Sequence, residues 1–314
     1  MTGVPGLTAD KILINAMKGD EEPMSEPQTT EGDLEEELAK QEEDKAPVPK
    51  TTAFTEEAVQ KAEDIILDPS TYKWKVFLAG ASGSGKTTAL TTLPGRKLVV
   101  DFDGRSTALV GIPNLDIYNC HEPEPKTPKA WQKAERLRQV ILSEVRQGIF
   151  PYDSILFDGL TMMGRISLNW ALTLDSGRGL GGSPARQHYG PQMDNLAKFV
   201  LSTLALPLNI AYTGHIELIQ DEHTGASKFY PKITGKLRTE VANWFNETYH
   251  CYRTEDDEGV LRYYWQTAGS GRAEFFKSSL NQLGKYWTDP IPIRFDDKGA
   301  TGFADLFARR FKTK

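Results

Sequence analysis

The sequence predicts an α/β protein with a mostly parallel central sheet flanked by helices. Two features carry that expectation. An apolar strand at residues 76–79 runs into a glycine-rich turn and then into a helix over 87–93 that stops at Pro94-Gly95. Three further apolar segments, 97–104, 154–158 and 207–213, end on acidic or polar residues, as strands do whose carboxyl ends face a ligand crevice. Between the first two of these, residues 131–147 read as an amphipathic packing helix with a basic face. Further on, 247–253 and 260–267 are apolar-alternating segments joined by the turn 255–259, which ends in glycine and signals a C-terminal β-hairpin. The segment Ile291-Pro292-Ile293 and a helix over 302–311 close the domain.

Composition sets the wider limits. The chain has 314 residues with 37 basic and 43 acidic side chains, a formal charge of −6. Residues 1–60 hold 15 of the acids and 5 of the bases, so the tail is acidic and the body mildly basic. Pro23, Pro27, Pro47 and Pro49 and the scarcity of large apolar residues mark 1–60 as an acidic, largely disordered tail. The folded domain is expected over 70–314. Within the tail, Thr8 can cap a short helix that puts Ile12, Leu13 and Met17 on one face, a docking peptide for a partner such as a single-strand binding protein. Cys120 and Cys251 are too few for a disulfide framework or a zinc cluster. No run approaches the ~18–20 apolar residues of a membrane span, and the first residues lack a secretory pattern. The expected setting is therefore cytoplasmic, with no membrane partner.

The chemistry begins at Gly80-Ala81-Ser82-Gly83-Ser84-Gly85-Lys86-Thr87-Thr88, which fits G-x-x-x-x-G-K-[ST] in full. Glycines let backbone N–H groups turn toward phosphates, and the following helix adds its positive end. This is a P-loop NTPase signature. Gly80, Ser82, Gly83, Ser84, Gly85, Lys86, Thr87 and Thr88 are the expected nucleotide cradle, with Lys86 on the β- and γ-phosphates. The Thr87 hydroxyl and Asp158, at the end of an apolar strand, are the expected Mg²⁺ partners. ATP and Mg²⁺ are the expected ligands. No N-K-x-D segment reads guanine, and no L-S-G-G-Q signature marks a transporter. Asp103, with Asp101 behind it, sits at a strand end where a carboxylate can polarise an attacking water. His215 follows the fourth strand at the same rim.

These segments in this order (the phosphate loop, VVDFD, ILFDGLT and IAYTGH) resemble the RecA-like core over about residues 72–312. More closely, they resemble the phage nucleotide-binding AAA-type family that includes the Sak4-like single-strand annealing and recombination proteins. The resemblance implies a RecA-like ATPase. In it Asp103 falls where the RecA-like catalytic glutamate stands, one methylene shorter, and His215 falls on the sensor at the end of the fourth strand. It implies two DNA-binding loops, 175–189 with Arg178 and Arg186, and 220–237 with Lys228, Phe229, Tyr230, Lys232 and Lys236. Basic side chains interleaved with aromatics suit single-stranded DNA, charge following the backbone and rings stacking on bases. It implies a homo-oligomer, ring or filament, in which Arg272 and Lys277 act on a neighbour's nucleotide. The expected function is ATP hydrolysis coupled to single-stranded DNA in phage recombination, annealing or replication. The alternatives are a P-loop small-molecule or nucleotide kinase and a nucleotide-gated binding protein without turnover.

Overall fold

A computed structural model describes residues 67–124, 127–177, 183–220, 225–296 and 299–312. The acidic segment 1–60 with its Leu7-to-Met17 stretch lies outside the described residues, as does Arg178.

Five strands come first: β1 (Lys75–Gly80), β2 (Lys97–Asp101), β3 (Leu115–Asn119), β4 (Ser154–Asp158) and β5 (Asn209–Gly214). A separate antiparallel pair follows, β6 (Ile216–Gln220) with β7 (Ser227–Pro231). The chain then returns to the main sheet with β8 (Glu247–Glu255), β9 (Leu261–Gln266), β10 (Lys277–Ser278) and β11 (Ile291–Ile293). A short pair, β12 (Phe295–Asp296) and β13 (Gly299–Ala300), precedes the last helix. The main sheet has nine strands, in the order β11-β9-β8-β1-β5-β4-β2-β3 with β10 also on β8. From β8 to β3 every pairing is parallel, while β9, β10 and β11 join antiparallel.

Helices cover both faces, which is why β2, β4 and β5 are buried at every position and read as unbroken apolar runs. On one face Phe77, Val100, Phe157 and Tyr212 pack with Trp131 of α2 (Ala130–Gln147), Met163 of α3 (Leu160–Leu172) and Phe199 of α4 (Arg186–Leu204). On the other, Leu78, Val99, Leu156 and Ala211 pack with Leu90 of α1 (Lys86–Leu90) and with Phe303 and Leu306 of α6 (Phe303–Phe311). The one-turn helix α5 (Leu237–Glu240) lies between them in sequence.

Several boundaries differ from the sequence reading. The helix expected over 87–93 is α1, which ends at Leu90, because the Thr91 and Thr92 hydroxyls donate back to the carbonyls of Thr88 and Ala89, both at 2.7 Å. The strand expected over 97–104 stops at Asp101, whose carboxylate accepts from the Gly104 N–H at 2.8 Å and turns the chain. Leu115–Asn119 is an edge strand that the sequence pattern does not signal. Residues 220–237 are not one loop. Half of the described part belongs to the β6–β7 pair and α5, because the Lys228 to Pro231 backbone ladders with Ile216 to Ile219. Arg186 is the first residue of a helix rather than a loop residue. The hairpin β8–β9 is no appendage: the first half of β8 pairs with β1 and the second half with β9.

The C-terminal segment is held by one acid. Glu247 is fully buried. Its carboxylate accepts from the Tyr249 and Ser278 hydroxyls at 2.6 Å each, from the Ser279 hydroxyl and N–H at 2.5 and 2.9 Å, and from the Leu280 N–H at 3.2 Å. Removing it strands all five donors. Glu247→Ala should cost roughly 3 kcal/mol or more of unfolding free energy in a urea titration. Glu247→Gln, which keeps an acceptor oxygen, should cost less; equal stability of wild type and the alanine variant would refute this account of the segment.

Candidate functional site at the carboxyl rim of the sheet

Parallel pairing aligns the strand ends. Asp101 stands opposite Asp158, and Ala79 stands opposite Gly214 on one side and His250 on the other. The rim opens into a cavity of about 440 Å³ lined by the loop residues Ser82 to Thr88 and by Asp103, Arg105, Asp158, Thr213 and His215.

The loop has the conformation its glycines allow. Gly83 and Gly85 have φ of 73° and 79°, where a side chain is strained. Gly80 is required for another reason, since a Cβ there would run into the carbonyl of Cys251 on β8. Lys86 is buried and donates to the Gly80 and Ala81 carbonyls at 3.0 and 2.7 Å. Burial pulls its ammonium below the usual lysine range, with Asp158 and Asp103 pulling the other way.

Asp158 ties the rim together. It accepts from the Thr87 hydroxyl at 2.9 Å and from the Thr213 hydroxyl at 2.5 Å. The Gly159 N–H in turn donates to Thr213 Oγ1 at 2.9 Å. Burial raises the Asp158 carboxyl, and these two hydroxyls act against that. Among the described residues no cluster of three or more His, Cys, Asp or Glu could hold a metal alone. A hydroxyl beside a single carboxylate suits Mg²⁺, which is usually held by one or two protein groups together with phosphates and waters. The glycine cradle and buried Lys86 fit a polyphosphate in the same way.

Asp103 reaches the cavity, and Asp101 does not; Asp101 is spent on the turn to Gly104. Gly159 makes room for Asp103: at φ of 109°, a Cβ there would lie 2.5 Å from the Asp103 carboxylate. Burial, then the Asp158 and Asp101 carboxylates, push Asp103 up to about 6, against Arg105 and Lys86. His215 Nε2 lies 4.0 Å from Asp103 Oδ2. Burial, then Lys86, holds His215 below the usual histidine range. Its backbone N–H donates to the Thr161 hydroxyl at 3.0 Å, and its carbonyl accepts from the Lys232 N–H at 2.8 Å.

The remaining expected residues lie elsewhere. Arg272 and Lys277 are exposed and do not line this chain's cavity. Lys228 pairs with Glu274 at 2.7 Å and Lys236 with Glu240 at 3.8 Å. The Phe229 ring lies 5.2 Å from that of His250, and Tyr230 stacks on Phe275 at 6.3 Å. Arg186 is exposed at the start of α4, next to Gln187 and buried His188, which both bond to Asp175. The sequence reading missed several cavity residues, among them Arg105, Arg253, Tyr263 and Phe295. Arg105, two residues past Asp103, was within reach of a local reading. The others come from the far C-terminal half and carry no local signal.

Fold and site together define a P-loop nucleotide-binding protein of the type with one strand, β5, between the phosphate-loop strand and the strand bearing Asp158. The family model of the AAA domain matches residues 72–273, and the chain belongs to that family. Membership implies nucleotide binding, usually with Mg²⁺, and ATPase chemistry in general. No curated protein matches the chain. No helix among the described residues is long and apolar enough to cross a membrane.

The raised Asp103 carboxyl has a signed consequence for the nucleotide-free protein. Its pKa rises from 3.8 to about 6 on folding, so its contribution is favourable at low pH and is lost as pH climbs through 6. Asp103→Asn should therefore be more stable than wild type above about pH 6, and the difference should vanish toward pH 3.8. Thermal melts across that range check it; a difference independent of pH would count against the burial and carboxylate repulsion described above.

Proposed function

We propose that this protein is a RecA-like, Mg²⁺-dependent ATPase that acts on single-stranded DNA in recombination or annealing of the phage type. The observation that carries this reading is the double attachment of His215. Its ring lines the nucleotide cavity beside Asp103, while its backbone is bonded to Thr161 and Lys232. Those two residues line a separate groove of about 460 Å³ that also holds Arg165, Thr234 and Arg238. Glu217 also lines the groove and pairs with Arg238 at 3.6 Å, which leaves Lys232 and Arg165 with two threonine hydroxyls to suit a phosphate backbone. A shift of His215 on nucleotide binding would move one wall of that groove, a route by which ATP state sets DNA affinity.

In this reading the Thr87 hydroxyl and the Asp158 carboxylate would hold Mg²⁺, whose charge would offset the charge that develops in the transition state. Lys86 binds the phosphates and Asp103 orients and deprotonates the attacking water. Arg272 and Lys277 are exposed and do not line their own cavity, and in this reading they serve a neighbouring subunit. The tail, with its excess of acid, competes with DNA or docks a single-strand binding protein.

ATP turnover with and without single-stranded DNA, beside Lys86→Ala, tests the proposal. DNA should stimulate turnover, and the variant should lose it. Turnover indifferent to DNA would leave an ATPase of another kind. Lys232→Glu and Arg165→Glu should each weaken DNA binding and flatten its salt dependence, by about 0.7 in the log–log slope for each phosphate no longer neutralised. An unchanged slope in both would remove the groove from the DNA path.

A further inference from the structure

We propose that Arg253 supplies, within its own subunit, the second cation that stands against the terminal phosphates during hydrolysis. The inference rests on the ATPase reading above and adds a residue to it. Arg253 lies on β8, past the part that pairs with β1, and its cross-strand neighbour on β9 is Tyr263. That hairpin folds over the phosphate loop. The Arg253 guanidinium faces Gly83 so closely that a Cβ on Gly83 would lie 3.2 Å from one terminal nitrogen and 3.5 Å from Cζ. Tyr263 and Phe295 close on Gly85 from the same side.

Three further observations single out this arginine. It lines the nucleotide cavity although it belongs to a strand that begins more than 150 residues after the loop. Arg262 on the same hairpin is held by Asp256 at 2.8 Å, whereas Arg253 has no carboxylate partner among the described residues. Lys86 reaches the cavity from within the loop, so Arg253 approaches it from a different element and adds a second cation. The loop amides cradle the phosphates, so a guanidinium at Gly83, the middle of that cradle, stands where charge accumulates on the β- and γ-phosphate oxygens.

In the step, the water oxygen bonds to the γ-phosphorus while the bond from γ-phosphorus to the bridging oxygen breaks. The electron pair of that bond stays with the β-phosphate of the departing diphosphate, and the water proton passes to the Asp103 carboxylate. Arg253 neutralises the charge gathered on the bridging and γ oxygens. Nothing is required from a second subunit for this cation.

The test uses the full chain as wild type, Arg253→Ala, Arg253→Lys and Lys86→Ala. Arg253→Ala should lower turnover by about 10³-fold. It should also lower the ratio of ATP to ADP affinity by about tenfold, measured with a non-hydrolysable ATP analogue and with ADP. Arg253→Lys should restore little, because an ammonium lacks the planar fork. Arg253→Ala and Lys86→Ala, co-expressed with different tags and purified together, should remain inactive, since neither chain has a complete site. Recovered turnover in the mixture would mean that the arginine acts on a neighbour and would overturn the proposal. So would wild-type turnover by Arg253→Ala. If wild type hydrolyses nothing, the ATPase reading fails by itself. The affinity ratio then still decides whether Arg253 meets the terminal phosphate, and an unchanged ratio overturns that assignment.

Discussion

Asp158 is bonded from two directions at the point where four elements meet. It ends β4, receives the hydroxyl of Thr87 from the start of α1 and receives the hydroxyl of Thr213 from β5, which itself accepts from the turn after β4. Charge-assisted bonds of this kind are worth about 1.5–3 kcal/mol each. Through them the phosphate loop is indexed to the sheet. That link ties the start of α1 to the same strand ends that carry Asp103 and His215 to the cavity. The carboxylate is costly to bury, and the two hydroxyls offset part of that cost.

The cavity is a balance of opposed charges. Burial first, and then repulsion from Asp158 and nearby Asp101, pushes Asp103 up to about 6. Lys86 and Arg105 act against that rise, and the Arg253 guanidinium faces Gly83 in the phosphate loop. Such a site is poised for a ligand that brings anionic oxygens to the cations and a divalent ion to the carboxylates. Both the repulsion among the acids and the charge of the Arg253 guanidinium are resolved by the same guest. Perturbed acids and cations gathered in one cavity are what is expected of a functional site.

Local chemistry was legible where the chain is contiguous. Nine consecutive residues carry the phosphate loop, and the apolar runs of β1, β2, β4 and β5 are continuous because helices cover both faces. Asp103, Asp158 and His215 could be found because each sits within two residues of such a run. The half-exposed elements were harder. β3 alternates weakly at the sheet edge, and β6–β7 has a polar pattern that reads as loop until its two strands are seen to pair. Phe229 and Tyr230 illustrate the limit: their spacing suits base stacking, yet both rings already have aromatic neighbours within the chain.

The sequence by itself determined the α/β class, the phosphate loop and the order in which acid and polar groups reach the rim. Those are properties of single strands and the turns that follow them, set by local burial and by glycine's access to positive φ. Tertiary structure alone decided which strands became neighbours. It put β8 beside β1, pressed the Cys251 carbonyl against Gly80, and brought Arg253, Tyr263 and Phe295 over a loop far back in the chain. Strand order and register depend on how two faces of a sheet are filled at once, and no stretch of residues carries that information alone.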